Sequence, residues 1–174
     1  MKELTIEKTK EILDSFGIKK APVPVEYIVA QYGINISYAP SKEYSGVLIR
    51  KSDGGVLMGV NSDERQSRIR FTIAHELAHF IFDTDQTVTV DYRNKTSLTD
   101  KPQKEKRADL FAANFLMPEE FLVEDFKREV KDALYVNGES LKKLAEQYQV
   151  SKEAMMYRLK NLNLVPTVKE EIPF

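Results

Sequence analysis

The chain of 174 residues has no cysteine, and it has only two histidines. Without cysteine it can form neither a disulfide nor a thiolate metal site, which fits a reducing compartment. It also lacks any excess of charge of one sign. Lys and Arg number 26 against 27 Asp and Glu, for a net charge of -1. Nothing global therefore draws it to DNA or to an anionic membrane, and a nucleic-acid role would need a local patch. No apolar run reaches the length of a membrane span. The first 17 residues carry charges throughout, unlike a secretory signal peptide. Together these absences predict a soluble, cytoplasmic protein with no membrane partner. What is present is ordinary globular composition, with 42% apolar and 30% charged residues. A core can form, in one domain or in one domain with a small appendage.

Apolar spacing predicts helices over residues 6–16 and 25–32, stopped by Gly17 and Gly33. Residues 34–38, 44–50 and 56–60 read as strands, with the turn Lys51-Ser52-Asp53-Gly54-Gly55 between the last two. A long helix is expected over about 63–82 with Ser62 as its N-cap. Residues 84–103 are polar, with a short strand candidate at Val88 and Val90, and form a candidate cleft wall. A helix over about 102–117 ends at Pro118, and the next runs to about Leu134. After the turn Asn137-Gly138 come two short helices, about 140–148 and 151–162, and a frayed tail beyond Pro166. The expected fold class is α+β. A domain of residues 1–134 holds a small three-stranded antiparallel sheet, and a helical subdomain spans 139–164.

Both histidines fall in one run, His75-Glu76-Leu77-Ala78-His79. Residues four apart on a helix share a face, so the two imidazoles can meet at one tetrahedral cation. Glu76 projects beside them, placed to take a proton from a water that the metal acidifies toward a pKa of about 7. The surrounding run from Phe71 to Phe82 is strongly apolar, so the histidines lie in a mostly buried helix where an unpartnered polar group is costly. A catalytic site of this kind needs a third protein ligand and an open fourth position. With no third histidine and no cysteine, that ligand is a carboxylate. Glu105, Ala108, Asp109 and Ala112 share one face of the following helix. Glu105 is assigned as ligand. Asp109 is assigned to accept the proton on the far nitrogen of a ligand histidine, fixing its tautomer. The reverse assignment stays open on spacing alone. One Zn2+ per chain is expected.

These residues, taken with their flanks, resemble the ImmA/IrrE metallopeptidases, a thermolysin-like (gluzincin) group with the His-Glu-x-x-His motif. The resemblance spans about Ile12 to Leu164. It includes Pro22-Val23-Pro24-Val25, Ser45-Gly46-Val47-Leu48, Val60-Asn61, Arg68 through His79, and Glu105-Lys106-Arg107-Ala108-Asp109 running into Phe111 through Pro118. It implies a zincin-like core, zinc on His75, His79 and Glu105, and Glu76 as general base. It implies a substrate class as well: cleavage of a helix-turn-helix repressor, which would derepress a mobile element, a prophage or a stress regulon. The alternative is a metal-stabilised regulator that binds the repressor or DNA without catalysis. Two positions depart from the family pattern, Ala78 for the usual glycine and Asp109 where many members carry asparagine.

A peptidase of this type usually holds its substrate as an added strand on a sheet edge. Gly55, Val56, Leu57, Met58, Gly59 and Val60 are the candidates for that edge. Tyr44, Tyr92, Arg68 and Arg70 are candidates to stabilise the oxyanion. Leu141 through Leu159 resembles a helix-turn-helix, with Ser151 capping the second helix. Gln149 holds its usual glycine position, and Lys152, Arg158 and Lys160 stand against Glu153 on the reading helix. This weak positive surface favours a packed helical unit over DNA contact through residues 140–160.

Overall fold

The computed structural model describes residues 1–92, 102–130 and 136–165. In chain order it contains helices α1 (Lys2–Ser15) and α2 (Val25–Gln31), strands β1 (Ile34–Ala39), β2 (Tyr44–Arg50) and β3 (Val56–Asn61), helix α3 (Gln66–Phe82) and strand β4 (Val88–Tyr92). Helices α4 (Gln103–Leu116), α5 (Glu119–Glu129), α6 (Gly138–Tyr148) and α7 (Lys152–Asn161) follow. The fold is mixed α+β. No helix among the described residues is long and apolar enough to cross a membrane. The expected reach of α5 to Leu134, the tail beyond Pro166 and residues 93–101 of the polar stretch 84–103 lie outside the described residues.

The sheet has four strands in the order β1-β3-β2-β4. It departs from the expected three-stranded antiparallel sheet in two ways. The strand at Val88 joins as β4, antiparallel to β2. In addition β1 runs parallel to β3, with Ile34 opposite Val56 and Ala39 opposite Asn61. The turn after β2 folds β3 back between β2 and β1, so β3 pairs on both sides. Gly55, Val56, Leu57, Met58, Gly59 and Val60 therefore offer no free edge, and the substrate role expected of them is corrected. Their ladder groups are already spent within the sheet. The outer strands among the described residues are β1 and β4.

Helix α3 begins at Gln66, with Arg65 at its N-cap, and not at Ser62. Asn61 explains the delay. Its Oδ1 accepts from the amides of Ser41 and Asp63, and its Nδ2 donates to the Ser41 carbonyl. This ties the end of β3 to the 41 loop before the chain can turn into a helix. Once begun, α3 is buried at every residue from 72 to 79. A helix apolar all round must be covered all round. Sheet strands β2 and β3 cover one side, and α2 and α4 the others. Leu48, Met58, Ile73, Leu77, Phe111 and Phe115, all essentially inaccessible, fill the space between.

A second core gathers Leu122, Phe126, Leu144, Tyr148, Met155 and Leu159. By packing, α5 thus sits with α6 and α7. Met117, at the end of α4, joins that cluster, and the buried Arg158 donates Nε to the Met117 carbonyl at 3.0 Å. Within this unit Asp125 accepts from the Tyr148 hydroxyl at 2.7 Å.

The C-terminal end of α3 is held by β2. Half-buried Arg50 donates to the carbonyls of His79 (3.2 Å), Phe80 (2.9 Å) and Gln86 (2.9 Å). A cation at a helix C-terminus satisfies orphan carbonyls and opposes the negative end of the helix dipole. The guanidinium fork also lies over the Phe80 ring, 5.6 Å from its centre. Replacing Arg50 with Met is expected to cost about 2–4 kcal/mol in a denaturant titration, because charge-assisted hydrogen bonds are lost and carbonyls stranded. Arg50→Lys should recover little of it, since an ammonium cannot span three carbonyls. Full recovery by lysine would show that charge alone matters.

Candidate metal centre

His75 and His79 lie one turn apart on α3, and their Nε2 atoms face each other at 3.1 Å. Glu105, in the first turn of α4, brings one carboxylate oxygen to 3.5 Å from His75 Nε2 and the other to 3.2 Å from His79 Nε2. One donor atom from each of these three residues lies within 4.8 Å of the other two. Contact between α3 and α4 is the most extensive between any two helices, which is why a carboxylate 26 residues beyond His79 arrives here.

The far nitrogens are both engaged. His75 Nδ1 meets Asp109 Oδ1 at 3.0 Å, and His79 Nδ1 meets Asp83 Oδ2 at 2.8 Å. A carboxylate accepts, so each Nδ1 carries a proton, and in the neutral ring each Nε2 presents a lone pair. Two lone pairs at this separation repel unless a cation or an extra proton lies between them. The donor set suits a divalent ion that prefers nitrogen and oxygen at about 2.0–2.1 Å.

The orienting carboxylates are anchored in turn. Asp83 Oδ1 accepts from Arg107 Nη2 at 2.6 Å. Burial alone would raise the Asp83 pKa, but His79 and Arg107 hold it below the usual carboxylate range. The chain His79–Asp83–Arg107 thus crosses back to α4, and Arg107 stands between the two α4 carboxylates in sequence.

Glu76 lies on the sheet side of α3 and is fully buried. Its Oε2 accepts from Thr89 Oγ1 of β4 at 3.2 Å, while Oε1 has no hydrogen-bond partner. An orphaned buried carboxylate oxygen is costly, which marks this atom for a proton-bearing visitor. Burial pushes the Glu76 carboxyl up to about 7, against the pull of His75 and His79, and nearby Asp91 adds to the rise. Gly46 of β2 makes room for it. A Cβ built there would come within 2.5 Å of Thr72 Cγ2 and 2.7 Å of Glu76 Oε1.

Asp91, 1% exposed on β4, completes the surroundings. It lies within metal-ligand reach of His75 and Glu76, and its Oδ2 accepts from Arg68 Nη2 at 3.1 Å. Of the residues considered for the oxyanion, Arg70 is committed elsewhere. It is buried, donating to the Val23 carbonyl at 2.7 Å and lying 3.5 Å from Glu26. Tyr44 and Tyr92 oppose each other across β2 and β4, with Tyr92 largely exposed. Arg68, through Asp91, is the cation tied to the site. Sequence reasoning missed Asp83, Arg107, Thr89, Asp91 and Gly46. Asp83 had a signal, since it follows His79 by one helical turn. Thr89 and Asp91 had none, because only strand register brings them to Glu76.

The sequence profile of the IrrE N-terminal-like domain family, Peptidase_M78, matches residues 29–160. Over 110 residues the chain is 31% identical to the radiation response metalloprotease IrrE of Deinococcus radiodurans. That match covers 63% of this chain and 32% of the relative, so the similarity concerns about a third of the longer protein. A solved structure of a Mycobacterium tuberculosis transcriptional regulator superposes with a TM-score of 0.60 at 14% identity, covering 98% of this chain and 48% of that one. At that identity the likeness is one of fold.

Two outcomes follow from the geometry. Gly46→Ala should displace Glu76 or Thr72 and cost about 1–3 kcal/mol through overpacking, measured by thermal or chemical denaturation. The second concerns pH. Burial disfavours the His75 imidazolium, but hydrogen bonds to Asp109 and Glu105, with the charges of Glu76 and Asp91, outweigh it and raise the pKa to about 9. Raised above 6.5, His75 stabilises the metal-free fold fully below that pH, and the contribution fades as pH climbs through about 9. Glu76, raised above 4.5, loses its contribution as pH climbs through about 7. A metal must displace the His75 proton, so the gain in Tm from added zinc should grow between pH 6.5 and 9. A gain independent of pH would mean that zinc binds elsewhere.

Proposed function

The chain belongs to the Peptidase_M78 family of IrrE N-terminal-like domains, and on that premise we propose that it is a zinc-dependent endopeptidase that cleaves a helix-turn-helix transcriptional repressor at a selected site. The observation that carries this reading is the pairing of two features on one buried helix. His75 and His79 bring their Nε2 atoms together at the Glu105 carboxylate, and the adjacent Glu76 keeps one oxygen without a partner. A purely structural histidine pair explains neither the convergence of both Nε2 atoms on one carboxylate nor the orphaned oxygen.

His75, His79 and Glu105 would hold the ion, with Asp109 and Asp83 fixing the histidine tautomers. When bound, zinc supplies Lewis-acid chemistry, polarising a peptide carbonyl and acidifying water. Glu76 does the proton work. Its Oε1 takes the proton of the attacking water, and a pKa near 7 lets the same oxygen return that proton to the departing amine nitrogen. Thr89 holds the other oxygen and so sets the direction in which Oε1 points. Gly46 excludes any side chain that would push the carboxylate out of place. Arg68 is the charged donor best placed among the four candidates for an oxyanion, held by Asp91 and by its contact over the Phe71 ring at 5.5 Å.

The zincin-like description suits this arrangement of an active-site helix under a sheet with a ligand helix beside it. Strand β4 replaces β3 as the strand on which a substrate can be added. It is outermost among the described residues and brings Thr89 and Asp91 to the site. The unit of α6 and α7 is helix-turn-helix-like. Gln149 takes the left-handed conformation between the helices (φ 54°), and Ser151 caps α7 by accepting from the Ala154 amide. Arg158, one of the three cations considered for DNA contact, is 4% exposed and bonded to Met117. This favours docking of a protein over reading of DNA. A cytoplasmic location fits a repressor substrate.

The test mixes the purified chain with helix-turn-helix repressors from the same genome, beginning with any whose genes neighbour its own. Glu76→Gln should lower cleavage by about 10²–10⁴-fold while zinc stays at one per chain by metal analysis. Cleavage at the unaltered rate would refute Glu76 as the base. Induction of the downstream operon by the Gln variant would favour a regulator that acts by binding alone.

A further inference from the structure

A pocket of about 230 Å³ lies at the seam between the two cores. Its lining joins elements far apart in sequence. Ser67, Arg68 and Phe71 come from the first turns of α3, and Met117 from the end of α4. Val150 and Ser151 come from the turn before α7, and Ala154 from its first turn. Val150 packs against both cores, which sets the seam there.

The pocket belongs to the face of α3 that carries the two histidines. Phe71 precedes His75 by four residues, as His75 precedes His79, so the three side chains stand in one row. The Phe71 ring centre is 6.3 Å from that of His75. In an extended peptide successive residues advance about 3.3 Å and their side chains alternate in direction. A peptide carbonyl at the histidine pair therefore puts a side chain of an adjoining residue within reach of Phe71.

Charge and size narrow what that side chain is. Arg68 is the one charged side chain among the described residues of the lining, and it is already matched. Its Nη2 lies 3.1 Å from Asp91 and its Nε 3.6 Å from Glu64. An acidic guest would meet a cation that two carboxylates already satisfy, and a basic guest would meet the cation itself. Phe71, Met117, Val150 and Ala154 make the rest of the wall mostly apolar, and the unbranched Met117 can adapt to a guest. The Ser151 hydroxyl is taken by the Ala154 amide. A cavity of about 150 Å³ admits benzene, so this one takes a phenylalanine ring or the side chain of leucine or methionine.

We propose, resting on the peptidase reading, that this pocket receives a large apolar side chain of the residue beside the scissile bond, and that the helix-turn-helix-like unit is thereby part of the substrate site. Val150 and Ala154 of that unit form one side of the apolar wall and Phe71 of α3 another. Selectivity then depends on how α7 sits beside α3, and the bond from Arg158 to the Met117 carbonyl holds α7 at that wall.

The probe is N-acetyl-phenylalanine N-methylamide, titrated into the full chain and followed by methyl NMR of Met117, Val150 and Ala154. Saturable shifts at these methyls are expected, with an affinity about tenfold or more above that of the alanine and glutamate analogues. Ala154→Phe and Ser67→Phe fill the pocket from separate helices, so a loss common to both does not come from damage to one of them. Each should weaken the phenylalanine probe about tenfold or more while the Leu48 and Leu77 methyls of the first core keep their native shifts. Cleavage of a peptide mixture by the zinc-loaded chain, read by mass spectrometry, should fall beside phenylalanine, leucine and methionine, and move toward alanine and glycine in both variants. Equal affinity for the glutamate probe, or no change in either variant, would overturn the proposal whatever the chain cleaves. Selective binding without any cleavage would keep the pocket and strike the peptidase reading.

Discussion

Everything in this molecule is arranged around two imidazoles that cannot be left as they are. His75 and His79 are buried on one helix face with their Nε2 atoms in contact distance. Each has its other nitrogen tied to a carboxylate. Hydrogen bonds so placed force the lone pairs toward one another, and low dielectric makes that repulsion strong. An extra proton removes it up to a pH of about 9, and a divalent cation would remove it above that. The fold delivers the remaining donor, Glu105, by packing α4 along α3, and the same packing supplies Asp109 one turn later. The candidate ligand set is therefore a consequence of one helix–helix interface, and the interface is held by Phe111, Phe115, Ala108 and Ala112.

The sheet contributes the other half of the chemistry. Strand β2 presses a glycine against Glu76, and strand β4 supplies the hydroxyl and the second carboxylate near it. Glu76 is thereby held in a dry, acidic setting that keeps its proton affinity high. Arg50 ties the sheet to the last turn of the same helix. Strand β2 therefore touches both Glu76 and the His79 turn. Beyond α4 a separate core begins, joined through Met117 and Arg158.

The helices and the three front strands were legible from periodicity and from glycine and proline stops. Pairing order was not, because hydrophobic alternation marks a strand without saying which neighbours it takes. For that reason β3 read equally well as an edge. Ser62 misread as a cap for a related reason. A capping residue type is a local signal, and the side chain of Asn61 overrode it through a contact 20 residues away. Arg158 looked like a surface cation because a helical pattern does not reveal which long side chain turns inward to a carbonyl.

The sequence by itself determined the ligand chemistry. Only two histidines exist, they fall one turn apart around a glutamate, and the absence of cysteine leaves a carboxylate to complete the set. It also narrowed that carboxylate to Glu105 or Asp109. Only the tertiary structure separated their positions, with Glu105 facing both Nε2 atoms and Asp109 facing the far side of one ring. Burial, tautomer and the orphaned oxygen of Glu76 were likewise decided in three dimensions. The physical reason is that spacing along one helix sets which side chains share a face, while distances between elements depend on packing that no local pattern encodes.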